Sequence, residues 1–147
     1  MKIIITEEQY KLIKEETLKQ TLIDQINVYG WEDTSNLVGG SDDMVKILDI
    51  KTPEDYLNLY DLKMVETETN IRFDFLNKND ELLMVYLTDM DELIIDFAKF
   101  YEPYIFVFQN KKRGDSIKTT DLKNELKRWF ESKYDLPIRR FTPTYLD

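Results

Sequence analysis

The side chains whose type and spacing come nearest to chemistry are the carboxylates of Asp89, Asp91, Glu92 and Asp96. An Asp-x-Asp pair at a strand end offers the hard oxygen ligands that Mg²⁺ or Ca²⁺ take, which makes Asp89, Asp91 and Asp96 the candidate metal set. The same residues suit the first turn of a helix, where the backbone dipole favours negative charge, and neither an EF-hand glycine nor a second acidic cluster accompanies them. The helix-start reading is therefore the stronger, and no metal or other cofactor is expected. Asp61-x-Lys63 and Asp121-x-Lys123 have the acid–lysine spacing of some metal-dependent nucleases. In a chain that is 33 % charged such pairs arise by chance, and the second sits inside a helical pattern. Gly39-Gly40-Ser41 lacks the spaced glycines and the lysine of a phosphate loop and reads as a break between helices.

The rest of the inventory narrows the chemistry further. Among 147 residues there is no histidine and no cysteine, which excludes Ser-His-Asp triads, Cys-His pairs, disulfides and the common zinc sites. Carboxylate, lysine, tyrosine and hydroxyl chemistry remains, and a non-enzymatic role is the expectation.

The net charge of −9 opposes phosphate, so a nucleic-acid partner is not expected. The charge is uneven: up to Asn110 there are 10 Lys and Arg against 23 Asp and Glu, and from Lys111 onward 10 against 6. Lys111, Lys112 and Arg113, followed by Lys118, Lys123, Lys127, Arg128, Arg139 and Arg140, form a basic region interleaved with Trp129, Phe130 and Phe141. It is read as a patch that meets an acidic protein surface, including that of another copy of the chain. The tail from Tyr134 to Asp147 carries Phe141, Pro143 and Tyr145 among its polar residues. A chain end of that composition is held by something, so Arg139, Arg140, Phe141, Pro143 and Tyr145 are assigned to interaction, with docking onto the same chain or a neighbour left open.

The elements that must position these groups are legible from periodicity and punctuation. Thr6-Glu7-Glu8-Gln9 is a capping box that opens a helix ending at Gly30, with Tyr10, Ile13, Leu18, Leu22, Ile26 and Tyr29 as its apolar face. Trp31 to Val38 suggests a short helical turn, Ser41-Asp42-Asp43 a helix through Leu48, and Thr52-Pro53-Glu54-Asp55 a helix running to about Tyr60. From Leu62 alternation takes over, and Ile71 to Leu87 reads as a hairpin closed by Asn77-Lys78-Asn79-Asp80. Asp89 to Tyr101 is assigned to a helix ended by Pro103, Tyr104 to Phe108 to a strand, and Thr120 opens a last helix with Leu122, Leu126, Trp129, Phe130 and Lys133 on one stripe.

The sum is an α+β fold with N-terminal helices, a small, mostly antiparallel sheet, a C-terminal helix and an extended tail. One domain over 1–147 is expected, mainly helical over 1–61, mainly strand over 62–110, turn and helix over 111–133, and extended over 134–147. No apolar run approaches the roughly 20 residues that span a bilayer. The acidic flank after Ile3-Ile4-Ile5 does not suit a secretory signal, so no membrane association and residence in the cytoplasm are expected.

The opening Lys2-Ile3-Ile4-Ile5-Thr6-Glu7-Glu8-Gln9-Tyr10, with Gly30-Trp31 and Leu37-Val38-Gly39-Gly40, resembles the small uncharacterised proteins of tailed bacteriophages over roughly the first third of the chain. The resemblance implies a phage product acting in the bacterial cytoplasm or in a virion, and it brings no catalytic residue. The leading expectation is thus a non-enzymatic protein-interaction or assembly protein, whose partner is itself, another virion protein or a host protein. Two rivals stand beside it. One is an acidic inhibitor that occupies the cationic groove of a host nucleic-acid-binding protein, and the other is a small carboxylate-dependent metal enzyme centred on Asp89, Asp91 and Asp96.

Overall fold

The computed structural model describes residues 6–68, 71–109 and 118–146. The fold is α+β. Helix α1 (Glu7–Tyr29) starts at the expected capping box, with Gln9 N–H donating to Thr6 Oγ1 at 3.2 Å and Thr6 N–H to Gln9 Oε1 at 3.1 Å. It stops where Gly30 takes φ +93°, a conformation glycine adopts without a Cβ penalty. A 3₁₀ turn (Glu32–Asn36), α2 (Ser41–Ile47) and α3 (Pro53–Leu57) follow, the last opened by a second capping box between Thr52 and Asp55. The Lys51 and Thr52 backbone N–H groups on the Asp55 carboxylate hold its pKa below the usual value.

Strands β1 (Lys63–Glu66), β2 (Arg72–Leu76), β3 (Leu82–Leu87) and β4 (Glu92–Asp96) form an antiparallel meander in sequence order. Strand β5 (Arg140–Thr144) joins the free edge of β4 in parallel, after the chain has passed through α4 (Glu102–Gln109) and α5 (Thr119–Tyr134). One core cluster draws on helices and sheet together: Leu22 and Ile26 of α1, Tyr56 of α3, Phe75, Met84, Leu93 and Ile95 of the strands, and Phe130 of α5. Tyr56 sits among the rings of Trp31, Tyr60, Tyr104 and Phe108 at centroid distances of 5.1, 5.5, 5.9 and 5.8 Å. Tyr104 Oη donates to Leu122 O at 2.7 Å, and elsewhere in the core Trp129 Nε1 donates to Asn58 Oδ1 at 2.8 Å.

Two sequence assignments are corrected. The span Asp89 to Tyr101, expected as a helix, is a turn, then β4, then one π-helical turn (Phe97–Tyr101). Leu93 and Ile95 lie opposite Tyr86 and Met84 and are fully buried, so the alternating reading prevails once β3 is present to pair with. Tyr104 to Phe108, expected as a strand, belongs to α4: Tyr104, Val107 and Phe108 are buried while Phe106 is 61 % exposed, which is the three-and-four spacing of a helix. A short, unbroken apolar run carries no periodicity of its own, and only packing decides it. Pro103 does not end a helix but is the second residue of α4, directly after the π-helical turn.

Candidate functional site

The candidate metal carboxylates are dispersed and individually occupied. Asp89 is exposed in the β3–β4 turn. Asp91 closes that turn at φ +48°, and its carboxylate accepts from Tyr86 Oη at 3.1 Å and pairs with Arg139 Nε at 3.2 Å. Asp96, buried at the other end of β4, accepts from Lys99 N–H at 2.6 Å and Leu146 N–H at 2.8 Å. The five-residue step between Asp91 and Asp96 along a strand is roughly 17 Å, too far to share an ion. Among the described residues no three acidic side chains converge as a metal site. Asp91 closes a turn, whereas Asp96 is the N-cap of the π-helical turn Phe97–Tyr101 that leads into α4, so the helix-start reading holds for Asp96 and not for Asp89 or Asp91.

The assigned tail residues are brought together on β5. Arg139 and Arg140 N–H both donate to Asp91 O, at 2.7 and 3.3 Å. The Phe141 ring lies 5.5 Å from Tyr101 with Lys123 Nζ 5.5 Å above it, and exposed Tyr145 meets Phe97 at 5.7 Å. With the Arg140 N–H directed at β4, strand alternation turns Thr142 and Thr144 inward and Pro143 outward, where a residue without an N–H leaves no donor for a further strand. Three cations of the basic region are paired within the domain: Arg139 with Asp91, Arg128 with Glu125, and Lys123 over the Phe141 ring. Lys111, Lys112 and Arg113 lie outside the described residues.

Two features escaped the sequence reading. The first is the N-terminal half of α1. From Glu7 to Thr17 every residue is exposed, with Tyr10, Leu12 and Ile13 at 58, 61 and 54 %. The expected single face fails at Ile13 to Leu18, because a five-residue step turns a helix by roughly 140°. That step was visible in the spacing. Only the second half is anchored, by Leu22, Ile26 and the buried Asn27, whose Nδ2 donates to Ile23 O at 2.8 Å and Leu59 O at 2.7 Å and whose Oδ1 accepts from Asp61 N–H.

The second is a cleft of about 210 Å³ at the C-terminal end of α1, lined by Tyr29, Trp31, Asp33, Tyr60, Glu81 and Lys99 among others. Its rim is fixed by the β2–β3 turn, which caps α1. Asn27 O accepts from Lys78 N–H at 3.2 Å, and Val28 O accepts from Asn79 Nδ2 at 3.0 Å. Tyr60 donates to or accepts from Tyr56 Oη at 2.8 Å, and burial pushes its hydroxyl up to about 12, so it lines the cleft as a neutral group. Lys99 Nζ stands 3.8 Å from Glu81 Oε2. Trp31 is 4 % exposed, and its Nε1–H has no hydrogen-bond partner. The lining residues come from four separate stretches of chain, which no sequence pattern joins.

No protein-family model, curated protein or solved structure matches this chain. No described helix is long and apolar enough to cross a membrane.

Proposed function

We propose that the protein is a non-enzymatic interaction protein and that the projecting half of α1 is its contact element. The observation that carries this reading is the unbroken exposure of Glu7 to Thr17 on a helix that presents Tyr10, Leu12 and Ile13 to solvent. A helix with apolar side chains and its backbone already satisfied is a ready ligand for a groove or for another helix. The favoured partner is a second copy. Glu7 to Lys19 holds four acidic and three basic residues, so two arms meet almost without repulsion although the whole chain carries −9. A phage assembly role in the bacterial cytoplasm or virion is consistent with the N-terminal resemblance and rests on it alone.

The test is sedimentation equilibrium of the full chain beside a Tyr10→Ser, Ile13→Lys double variant. Wild type should self-associate with rising concentration, and the variant should stay monomeric with the same melting midpoint. A monomeric wild type, or a variant that still associates, overturns the arm as the self-contact.

A further inference from the structure

We propose that the free edge of β1 takes up an extended segment of another protein as an added strand, with an aliphatic side chain opposite Met64 and a lysine or arginine opposite Glu66. The hydrogen-bond phase of the β1–β2 ladder fixes which groups are on offer. Thr67 N–H donates to Arg72 O at 3.1 Å, and Val65 and Lys63 lie opposite Asp74 and Leu76 in unbroken register. Antiparallel bonding alternates along a strand, so Lys63, Val65 and Thr67 turn their backbone groups to β2, and Met64 and Glu66 turn theirs away from it. β1 is the outermost strand of the sheet, and the outward backbone groups of Met64 and Glu66 have no partner among the described residues.

The two edges of the sheet differ. Pro143 stands within β5, the opposite edge, and has no N–H to give. β1 has neither a proline nor a register shift, and it leaves Met64 47 % exposed. A strand added here covers that side chain and gains main-chain bonds in the same step.

Charge selects the occupant. Met64 and Glu66 are two residues apart and share a face, whereas Lys63 projects from the other. When two copies of β1 pair antiparallel, outward-turned residues oppose outward-turned residues, so each face meets its own kind. Lys63 of one copy then never reaches Glu66 of the other, and the opposite charges of the strand cannot meet. Asp61 and Glu68, at its two ends, are exposed and acidic, and Lys63 already lies 4.0 Å from Asp80. The edge therefore repels its own copy and favours a cationic strand. This site is separate from the α1 arm and does not depend on it.

The experiment titrates the full chain with the acetylated and amidated peptide TITKTYT, whose isoleucine and lysine share one face, and follows the backbone amides by NMR. Saturable shifts should centre on Met64 and Glu66, and their amide exchange should slow while that of Val65, already bonded to β2, is unchanged. The peptide TITETYT should bind about fivefold weaker, as should TITKTYT on the exposed-site variant Glu66→Lys, and TITETYT should recover on that variant. N-methylation of the lysine amide, which would face β1, should weaken binding about tenfold, and N-methylation of the threonine after it, which would face away, should not. Equal affinity for TITKTYT and TITETYT overturns the basic occupant, and equal loss at the two N-methyl positions overturns the edge pairing. Protection of Met64 and Glu66 that rises with protein concentration in the absence of peptide makes a second copy the occupant. No saturation at millimolar peptide overturns the site.

Discussion

The two ends of the described chain are held in opposite ways. The N-terminal arm, Glu7 to Thr17, leaves every side chain in solvent, yet its backbone is satisfied within the helix. The C-terminal tail also exposes most of its side chains, yet its backbone is bound to the body: Arg139 and Arg140 N–H on Asp91 O, the ladder with β4, and Leu146 N–H on Asp96 Oδ2. Apolar content does not separate the two, since the arm has Tyr10, Leu12 and Ile13 and the tail has Phe141 and Tyr145. The difference is that an extended segment must find hydrogen-bond partners outside itself, whereas a helix brings its own. A terminal strand is therefore drawn into the nearest open sheet edge, and a terminal helix is free to project.

The largest effect expected from this contrast follows deletion of residues 139–147. It strips β4 of its neighbour and uncovers the Tyr101 side of the core. At about 1 kcal/mol for each lost hydrogen bond, plus the half-buried Phe141 ring, the loss is at least roughly 3 kcal/mol, read as a lower urea midpoint. A truncated chain that unfolds at the wild-type midpoint would mean that β5 is not part of the folded unit.

Within α1 the contrast is repeated on one helix. Leu22→Ala should cost roughly 2–5 kcal/mol, because Leu22 is fully buried and its truncation leaves a cavity. Ile13→Ala should lie within about 0.5 kcal/mol of wild type. Similar losses at the two positions in thermal unfolding would show that the arm is packed.

Much of this was legible in the sequence, and the misses share a physical cause. The Thr6 capping box, the Thr52-Pro53 helix start, the Gly30 stop and the Ile71 to Leu87 hairpin depend on local chemistry, and each appears within a few residues of its expected place. Leu93-Ile94-Ile95 and Tyr104 to Phe108 are short apolar runs whose state is decided by what packs on them, and those partners lie elsewhere in the chain. The tail was rightly singled out as a held segment, but its anchors, Asp91 and Asp96, were read as metal or helix-start residues because a single sequence does not show what comes to lie beside a carboxylate. The cleft had no sequence signal, since Trp31, Asp33, Glu81 and Lys99 meet only after folding.

A smaller effect tests that reassignment. Asp96→Ala leaves two backbone N–H groups without an acceptor in a buried position and should cost about 1–3 kcal/mol, while Asp96→Asn keeps one acceptor oxygen and recovers part of it. Neither Mg²⁺ nor a chelator should move the melting midpoint of the wild type. Calorimetry showing a stoichiometric micromolar site that vanishes in Asp91→Asn would return these carboxylates to a metal role.

The smallest global effect should come from Thr6→Ala, at the N-cap of α1. The substitution removes the side-chain acceptor for Gln9 N–H and breaks the capping box, a loss of about 1 kcal/mol to the first turns of a helix. Because every residue from Glu7 to Thr17 is exposed, the loss should appear as local fraying. Amide exchange should quicken over the first half of α1, and helical ellipticity should fall slightly. The second half should not change, since Leu22, Ile26 and Asn27 hold it from within the core, and the unfolding midpoint should stay within error of wild type. A midpoint that falls by the full cost of the cap would show that the arm and the body unfold as one unit, and the distinction between a self-sufficient end and a pinned one would no longer hold.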